Sequence, residues 1–569
     1  MYFRFPLILL FLLVCLVAFV LLQSRFDRYI PEAKGMPSHG AADLQLAREE
    51  ALLTIRATDL RAHLEFLADD LLEGRDTGSH GAAVAAKYIA SHFERNGLAP
   101  VGDGETYFQS VPLKLKKILP MTLLEIEIGG EMVPLRYGKD FLVTGVASES
   151  GQDISAVAVF AGFGITAEEY DYDDYKDIDV QGKVAVVVSG EPASDDEAFF
   201  KGKQRTRQSS ARTKRTRARE EGAVAVIGIM REEQLDHFSW PALRKYFTKA
   251  QVKLVTEDES PQNFPSVVLH PEAARLVFAG SPMDYEEIDT KAKEGHTQAF
   301  ALNKRVRIKI HFEDGDLAEK NVVGFLAGSD PQLKSEVVIF SAHYDHVGIG
   351  AAVKGDSIYN GAADNASGTS GLLELAEAFA SLSERPRRSM LFLGLTAEEK
   401  GLLGSEYYVE HPLFPLEKTV ANFNLDMIGI GDTTALVVYG IDRSTLGDYV
   451  RKAAAEFGLE IWPDDMPEQR IFYRSDHYNF ARKGVPAILP SFGVKRSNFS
   501  DFTKFYHQPS DDANLPWLNY NYMQKHVQVV FQAALWVANA DDAPQWAPGD
   551  EFGKIRAKQV DEEKLRTDE

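Results

Sequence analysis

Apolar residues along the chain fall into two patterns that alternate. Short uninterrupted runs fit strands buried on both faces of a helix-covered sheet. Val337-Val338-Ile339-Phe340 is one such run, Met390-Leu391-Phe392-Leu393 is a second, and 420–427 is a third. A strand over 321–328 feeds the first of these, and 485–489 is a further apolar strand. Between the runs, apolar residues recur at helical spacing. The stretch 366–382 carries Leu372, Leu373, Leu375 and Ala376, and 55–72 carries Leu60, Leu64, Leu67, Leu71 and Leu72. The Ala-rich stretch 80–96 stops at Gly97, and a helix is expected around 449–457. Strands alternating with helices predict an α/β domain with a mixed, largely parallel central sheet flanked by helices.

Residues 136–300 interrupt this alternation. Short apolar runs at 156–164, 182–188 and 222–227 predict an inserted β-rich module, which splits the α/β domain into 45–135 and 301–540. A chain of 569 residues has room for two or three domains. At the other extreme of polarity, 5–22 is an uncharged apolar run close to the minimum for a membrane span and long for a signal-peptide core. No small-x-small site follows it, so an uncleaved N-terminal anchor is expected, with secretion after signal cleavage as the alternative. Arg4 precedes the run while Arg25 and Arg28 follow it, so charge bias does not set the orientation. Residues 29–45, with Pro31, Gly35, Pro37 and Gly40, read as a linker, and the charged stretch 548–569 reads as a disordered tail.

Composition narrows the partners. A hydrophobic content of 45% is that of a globular chain, and a formal net charge of −22 argues against a nucleic-acid partner, whose phosphates would be repelled. The single cysteine, Cys15, excludes an internal disulfide and reads as a small apolar residue of the span. The stretch 201–219 holds nine lysines and arginines. It reads as a solvated face balanced by the acidic 195–197 and by Glu220 and Glu221; a docking patch for an acidic partner or anionic lipid is the sharper alternative.

The candidate chemistry lies where the buried runs end. His343 and Asp345 follow the first run, Glu398 and Glu399 follow the second, and Asp426 sits near the end of the third. Asp364 lies among small residues that permit close backbone approach, and His507 lies in a polar loop. Sites in open α/β sheets form at the carboxyl ends of strands. Carboxylates gathered in a dry site repel one another unless a cation neutralises them, and mixed His/carboxylate ligation suits zinc.

These residues sit in phrases that resemble the co-catalytic dizinc exopeptidases, a family that includes leucyl aminopeptidases, aminopeptidase Y and the glutamate carboxypeptidases. The phrases are Ser341-Ala342-His343-Tyr344-Asp345-His346, Gly361-Ala362-Ala363-Asp364-Asn365-Ala366-Ser367-Gly368, Ala397-Glu398-Glu399-Lys400-Gly401-Leu402-Leu403-Gly404-Ser405, Asn424-Leu425-Asp426-Met427, Ser475-Asp476-His477 and Tyr506-His507. The resemblance implies two Zn2+ ions. His343 and Asp426 would bind one, Glu399 and His507 the other, and Asp364 would bridge them through a loop whose Asp364-Asn365 peptide is cis. It also implies Glu398 as general base, Asp345 as the residue that holds His343, and Tyr506 as an aid to the oxyanion. His477 is expected to be structural or to support the ligands, and the turn at Leu72-Glu73-Gly74-Arg75 to have no catalytic role.

By the same resemblance the insert is a protease-associated domain that bears on substrate access, and the enzyme domain lies outside the cytoplasm. The expected substrate is a peptide cut at its N-terminus; the N-terminal helix would bring the chain to a membrane, and a homodimer is compatible with the family. A carboxypeptidase acting on acidic C-termini is one alternative, for which Arg474 is the one arginine near a motif. A non-catalytic receptor on the same scaffold is another; the complete ligand set speaks against it.

Overall fold

A computed structural model describes residues 41–558, apart from 147–148, 197, 201, 203–205, 238, 256–263 and 493. The predicted anchor 5–22 with Cys15, most of the linker 29–45 and the last residues of the tail lie outside the described residues. Among those described, no helix is long and apolar enough to cross a membrane. The chain divides into two compact units. One comprises the residues up to Pro112 together with those from Ala318 onward, and the other is Leu113–Leu317.

The first unit is built on a mixed sheet. Its strands run in the order Phe312–Leu326, Ser389–Leu395, Val337–His343, Thr419–Asn424, Ala487–Ser491, Ala435–Tyr439 and Glu460–Trp462. The three central pairings, Ser389–Leu395 with Val337–His343, Val337–His343 with Thr419–Asn424, and Thr419–Asn424 with Ala487–Ser491, are parallel. Antiparallel strands flank them. The alternating Cβ directions of a strand sort its residues into two cores. Val338, Phe340 and Ala342 join a core with the helices Ala57–Leu67, His80–Arg95, Ser367–Ser381 and Tyr520–Asn539. Val337 and Ile339 join the opposite core with Leu403–Glu410 and His477–Ala481. All four residues of the Val337-Val338-Ile339-Phe340 run are fully buried, each contributing about 1.5–3 kcal/mol. The strand is therefore held from both faces, and its end is a fixed platform.

The second unit has its own eight-stranded sheet and its own apolar core around Phe160, Val186, Ile227 and Phe278. Three sequence expectations need correction here. The insert is wider than 136–300, because the strands Leu123–Ile128 and Glu131–Leu135 pair within this sheet. It is not simply β-rich, since it includes helices such as Ala211–Glu220, Pro271–Phe278 and Tyr285–Lys293. The basic stretch is not wholly solvated: Arg217 pairs with Glu220 and Glu221 as expected, but Lys214 is buried, with its ammonium on the carbonyls of Phe163 and Val188. In the first unit the linker ends earlier than 45, in the helix Ala41–Thr54, and 551–558 of the expected disordered tail is helical with Phe552 buried.

Candidate metal centre

The parallel register brings the chemistry to one edge of the sheet. His343 pairs with Leu395, so Glu398 and Glu399 emerge just beyond it; Ser341 pairs with Asn424, so Asp426 emerges beside it. Asp364 arrives on the loop between Asp356–Tyr359 and Ser367–Ser381, and His507 on the loop before Tyr520–Asn539. Residues 343 and 507, far apart in sequence, thus both come within reach of Asp364.

Two groups of ligand atoms result. His346, Asp364, Glu399 and His507 form one; His343, Glu398 and Asp426 form the other, with the ligand atoms in each group within 4.8 Å of one another. Asp364 faces both. Its Oδ1 lies 3.4 Å from His343 Nε2 and its Oδ2 lies 3.1 Å from His507 Nε2. Asp426 Oδ1 is 3.6 Å from His343 Nε2, and Glu399 Oε1 is 3.2 Å from His507 Nε2. His343 Nε2, His507 Nε2, both ring nitrogens of His346 and Glu399 Oε1 are buried without a hydrogen-bond partner. Buried polar atoms left unmatched are costly, and their gathering around the two ligand groups is what a metal site requires. The donor set is hard and borderline, oxygen and imidazole nitrogen, which fits zinc.

The electrostatics agree. Burial opposes charge on His343, yet Glu398, Asp426 and Asp364 override it and hold the imidazole well above its ordinary value. His507 is likewise opposed by burial but raised to about 11 by Glu399 and Asp364. Burial would raise Glu399, but His507 and His346 hold it well below the usual carboxylate range. Glu398 moves the other way: burial first, then Glu399, Asp476 and Asp426, outweigh His343 and lift it well above the ordinary glutamate. The edge of the sheet holds an excess of negative charge that demands cations, and one carboxyl biased to take up a proton.

The supporting contacts fix these groups. Asn365, joined to Asp364 by a cis peptide, donates to Leu425 O (2.9 Å) and accepts from Met427 N (3.2 Å), tying the Asp364 loop to the Asp426 loop. Ser475 donates to Asp426 Oδ2 at 2.6 Å and accepts from Asn424 at 2.8 Å. Gly361 has φ +61°, and a Cβ there would sit 2.3 Å from Asp364 O and 2.5 Å from the His346 ring. Ala397, Met427 and His507 also take positive φ, a conformation non-glycine residues hold only when their surroundings over-determine it.

Asp345 departs from the expected part. His343 Nδ1 is nearest to the Asp345 carbonyl oxygen (3.2 Å), with the carboxylate 3.9 Å away. That carboxylate instead accepts from the backbone N–H groups of Glu398 (3.0 Å) and Glu399 (3.4 Å) and from Thr77 (3.1 Å). It orients the two glutamates more directly than the histidine. Tyr506 stacks on the His507 ring at 4.0 Å. His477 joins neither group; it is buried edge-on against Phe472, and burial drives it down to about 3, so it stays neutral.

His346 was not among the residues singled out from the sequence. Its ring reaches Glu399 Oε1 at 2.8 Å and meets His507 edge-on. Its place three residues after His343, just past a strand end, does not by itself separate a ligand from a surface histidine. Beside them a cavity of about 110 Å³ is lined by Glu398 and Asp364, by Met427, Met466, Phe492 and Phe502, and by Arg474.

Residues 321–534 match the family model described as Peptidase family M28. Among curated proteins, the chain is 26% identical over 235 residues to Aminopeptidase YwaD of Bacillus subtilis (strain 168), covering 41% of this chain and 48% of that one. It is 32% identical over 219 residues to Aminopeptidase NAALADL1 of Mus musculus, covering 37% of this chain and 26% of that one. The chain thus spans under half the length of these curated relatives. Among solved structures, an aminopeptidase from Aneurinibacillus sp. strain AM-1 aligns with a TM-score of 0.50 at 20% identity, over 88% of this chain and 98% of that one, a likeness of fold.

Proposed function

We propose that this chain, whose residues 321–534 match the model of peptidase family M28, is a zinc-dependent exopeptidase of that family, and specifically an aminopeptidase that releases N-terminal residues from peptides. The observation that carries the reading is Asp364, which turns one carboxylate oxygen to His343 and the other to His507. His343 and Asp426 would hold one zinc, Glu399 and His507 the other, with Asp364 shared; His346 is a further donor to the second group. Bound there, the metals would supply Lewis acidity and a water of lowered pKa.

The remaining work falls to side chains. Glu398 faces the same space, and its raised proton affinity suits a base that takes a proton from water and returns it to the leaving amine. Asp345 holds Glu398 and Glu399 by their backbone N–H groups, fixing base against ligand. Tyr506, held against His507 at the cavity wall, has a hydroxyl available to a developing oxyanion. The apolar wall of Met427, Met466, Phe492 and Phe502 excludes water and accommodates a substrate side chain.

One observation favours a second reading, hydrolysis of peptides that carry a carboxylate beside the scissile bond. Arg474 lines the cavity, is exposed, and makes no ion pair among the described residues. A screen of aminoacyl and C-terminal glutamyl peptides, with chelator and then with zinc restored, separates the readings. The aminopeptidase reading expects aminoacyl hydrolysis that chelator abolishes and zinc restores. Preference for glutamyl C-termini would move the assignment to the carboxypeptidase, and a zinc-loaded chain inert to both would leave the receptor.

The unit Leu113–Leu317 is read as a protease-associated module bearing on substrate access; its separate core supports a module of its own, and among the described residues it holds no candidate ligand group. Anchoring through 5–22, with the catalytic domain outside the cytoplasm, rests on the apolar run alone. An alkaline phosphatase fusion after residue 22 tests it, and an inactive fusion would count against export.

A further inference from the structure

Arg75 and Asp511 are both fully buried, are of opposite formal charge, and belong to neither ligand group. What they touch is backbone. The Asp511 carboxylate accepts from Ala363 N at 2.7 Å and from Asp364 N at 3.0 Å, while its own carbonyl accepts from Ala362 N at 3.1 Å. One residue thus takes three consecutive amides of the loop that carries the shared aspartate. Arg75 grips the same loop from its carbonyl side, donating to Asn360 O at 2.7 Å and Gly361 O at 2.9 Å. It also donates to Leu67 O and, at 2.8 Å, to Tyr344 O, between His343 and Asp345, while its own carbonyl accepts from His346 N at 3.1 Å.

We propose that Arg75 and Asp511 are positioning residues that clamp the loop 360–364 between the His343 strand end and the His507 loop, and so set where Asp364 presents its two oxygens. The clamp rests on the reading of Asp364 as a ligand shared by two metals. Its logic is charge matched to backbone dipole. A guanidinium offers a planar fork of donors that satisfies several carbonyls at once, and a carboxylate offers only acceptors to a row of N–H groups. Because Asp511 lies four residues after His507, and Arg75 bonds to the backbone of Tyr344 and His346 just after His343, a shift in either residue alters the distance between the two ligand groups. Partners behind a metal ligand of this kind are worth about 10- to 100-fold in metal affinity or activity.

Asp511→Asn keeps the shape but replaces one acceptor by a donor, which faces an N–H it cannot bond. The measurements are zinc binding to the chelator-stripped chain by calorimetry, circular dichroism of the metal-free protein, and kcat and KM separately. The clamp predicts a folded variant whose zinc affinity falls about 10- to 100-fold and whose kcat falls with KM nearly unchanged. Arg75→Lys, which keeps the charge but cannot span the carbonyls, should behave alike. Folded variants that bind zinc and turn over like the wild type would overturn the proposal. So would failure of both to fold, since the pair would then serve the fold and not the site. A wild type that binds two zincs but cleaves no peptide refutes the functional reading while the zinc isotherms still judge the clamp; a wild type that binds no zinc refutes both.

Discussion

At the scale of single residues, the division of labour between two adjacent glutamates is set by their neighbours. Glu399 lies against two imidazoles and stays ionised; Glu398 lies among carboxylates and is biased toward its proton. Glu398→Gln should therefore bind zinc as the wild type does and lose kcat by about 100- to 10,000-fold, checked by elemental analysis beside a peptide assay. Loss of zinc would instead make Glu398 a ligand. The proposed ligands His343, Asp364, Glu399, Asp426 and His507 were legible because each closes a buried run or sits in a phrase with a strong resemblance. His346 and Asp511 were not. Nothing in their type or spacing distinguishes a surface polar residue from one that the fold turns inward, and only the meeting of three loops makes the difference. Asp345 was legible as a participant but not in its part, because a hydrogen bond to a backbone N–H just beyond the neighbouring strand leaves no mark in a side-chain pattern.

At the scale of elements, strand register converts sequence order into a site. The parallel pairing of Val337–His343 with its neighbours on both sides places three strand ends together, and the apolar runs foretold those strands within a few residues. The turns between them are less forgiving. Gly361→Ala would force a Cβ against Asp364 O and the His346 ring at positive φ, so a loss of roughly 1–3 kcal/mol in stability is expected, with reduced zinc content. Unchanged thermal unfolding and full zinc occupancy would contradict the close packing of that loop.

In the second unit, the helix Ala211–Glu220 shows where charge patterning misleads. Its Lys214 looks like one of many surface cations, yet burial lowers it to about 7. An unfolded lysine titrates near about 10.4, so between those values the unfolded chain binds more protons and stability should rise with pH. The wild type should gain stability from about pH 7 to about pH 9 more steeply than Lys214→Met in denaturant unfolding; parallel curves would show that Lys214 titrates normally.

At the scale of the whole molecule, two compact units divide the labour. Among the described residues, the candidate ligands all belong to the unit that includes 318–558, and none to Leu113–Leu317. The sequence revealed the insertion through its break in periodicity. It misplaced the edges because the strands Phe108–Ile118 and Phe312–Leu326 run through the boundary without a change in pattern. The most direct test of the account is to strip the purified chain with chelator and add zinc back in steps, following aminoacyl-peptide hydrolysis and bound metal in the same samples. The account predicts no hydrolysis at zero zinc and a rise that levels off as occupancy reaches two per chain. Hydrolysis that survives complete stripping, or a chain that takes up two zincs and never cleaves a peptide, would contradict it.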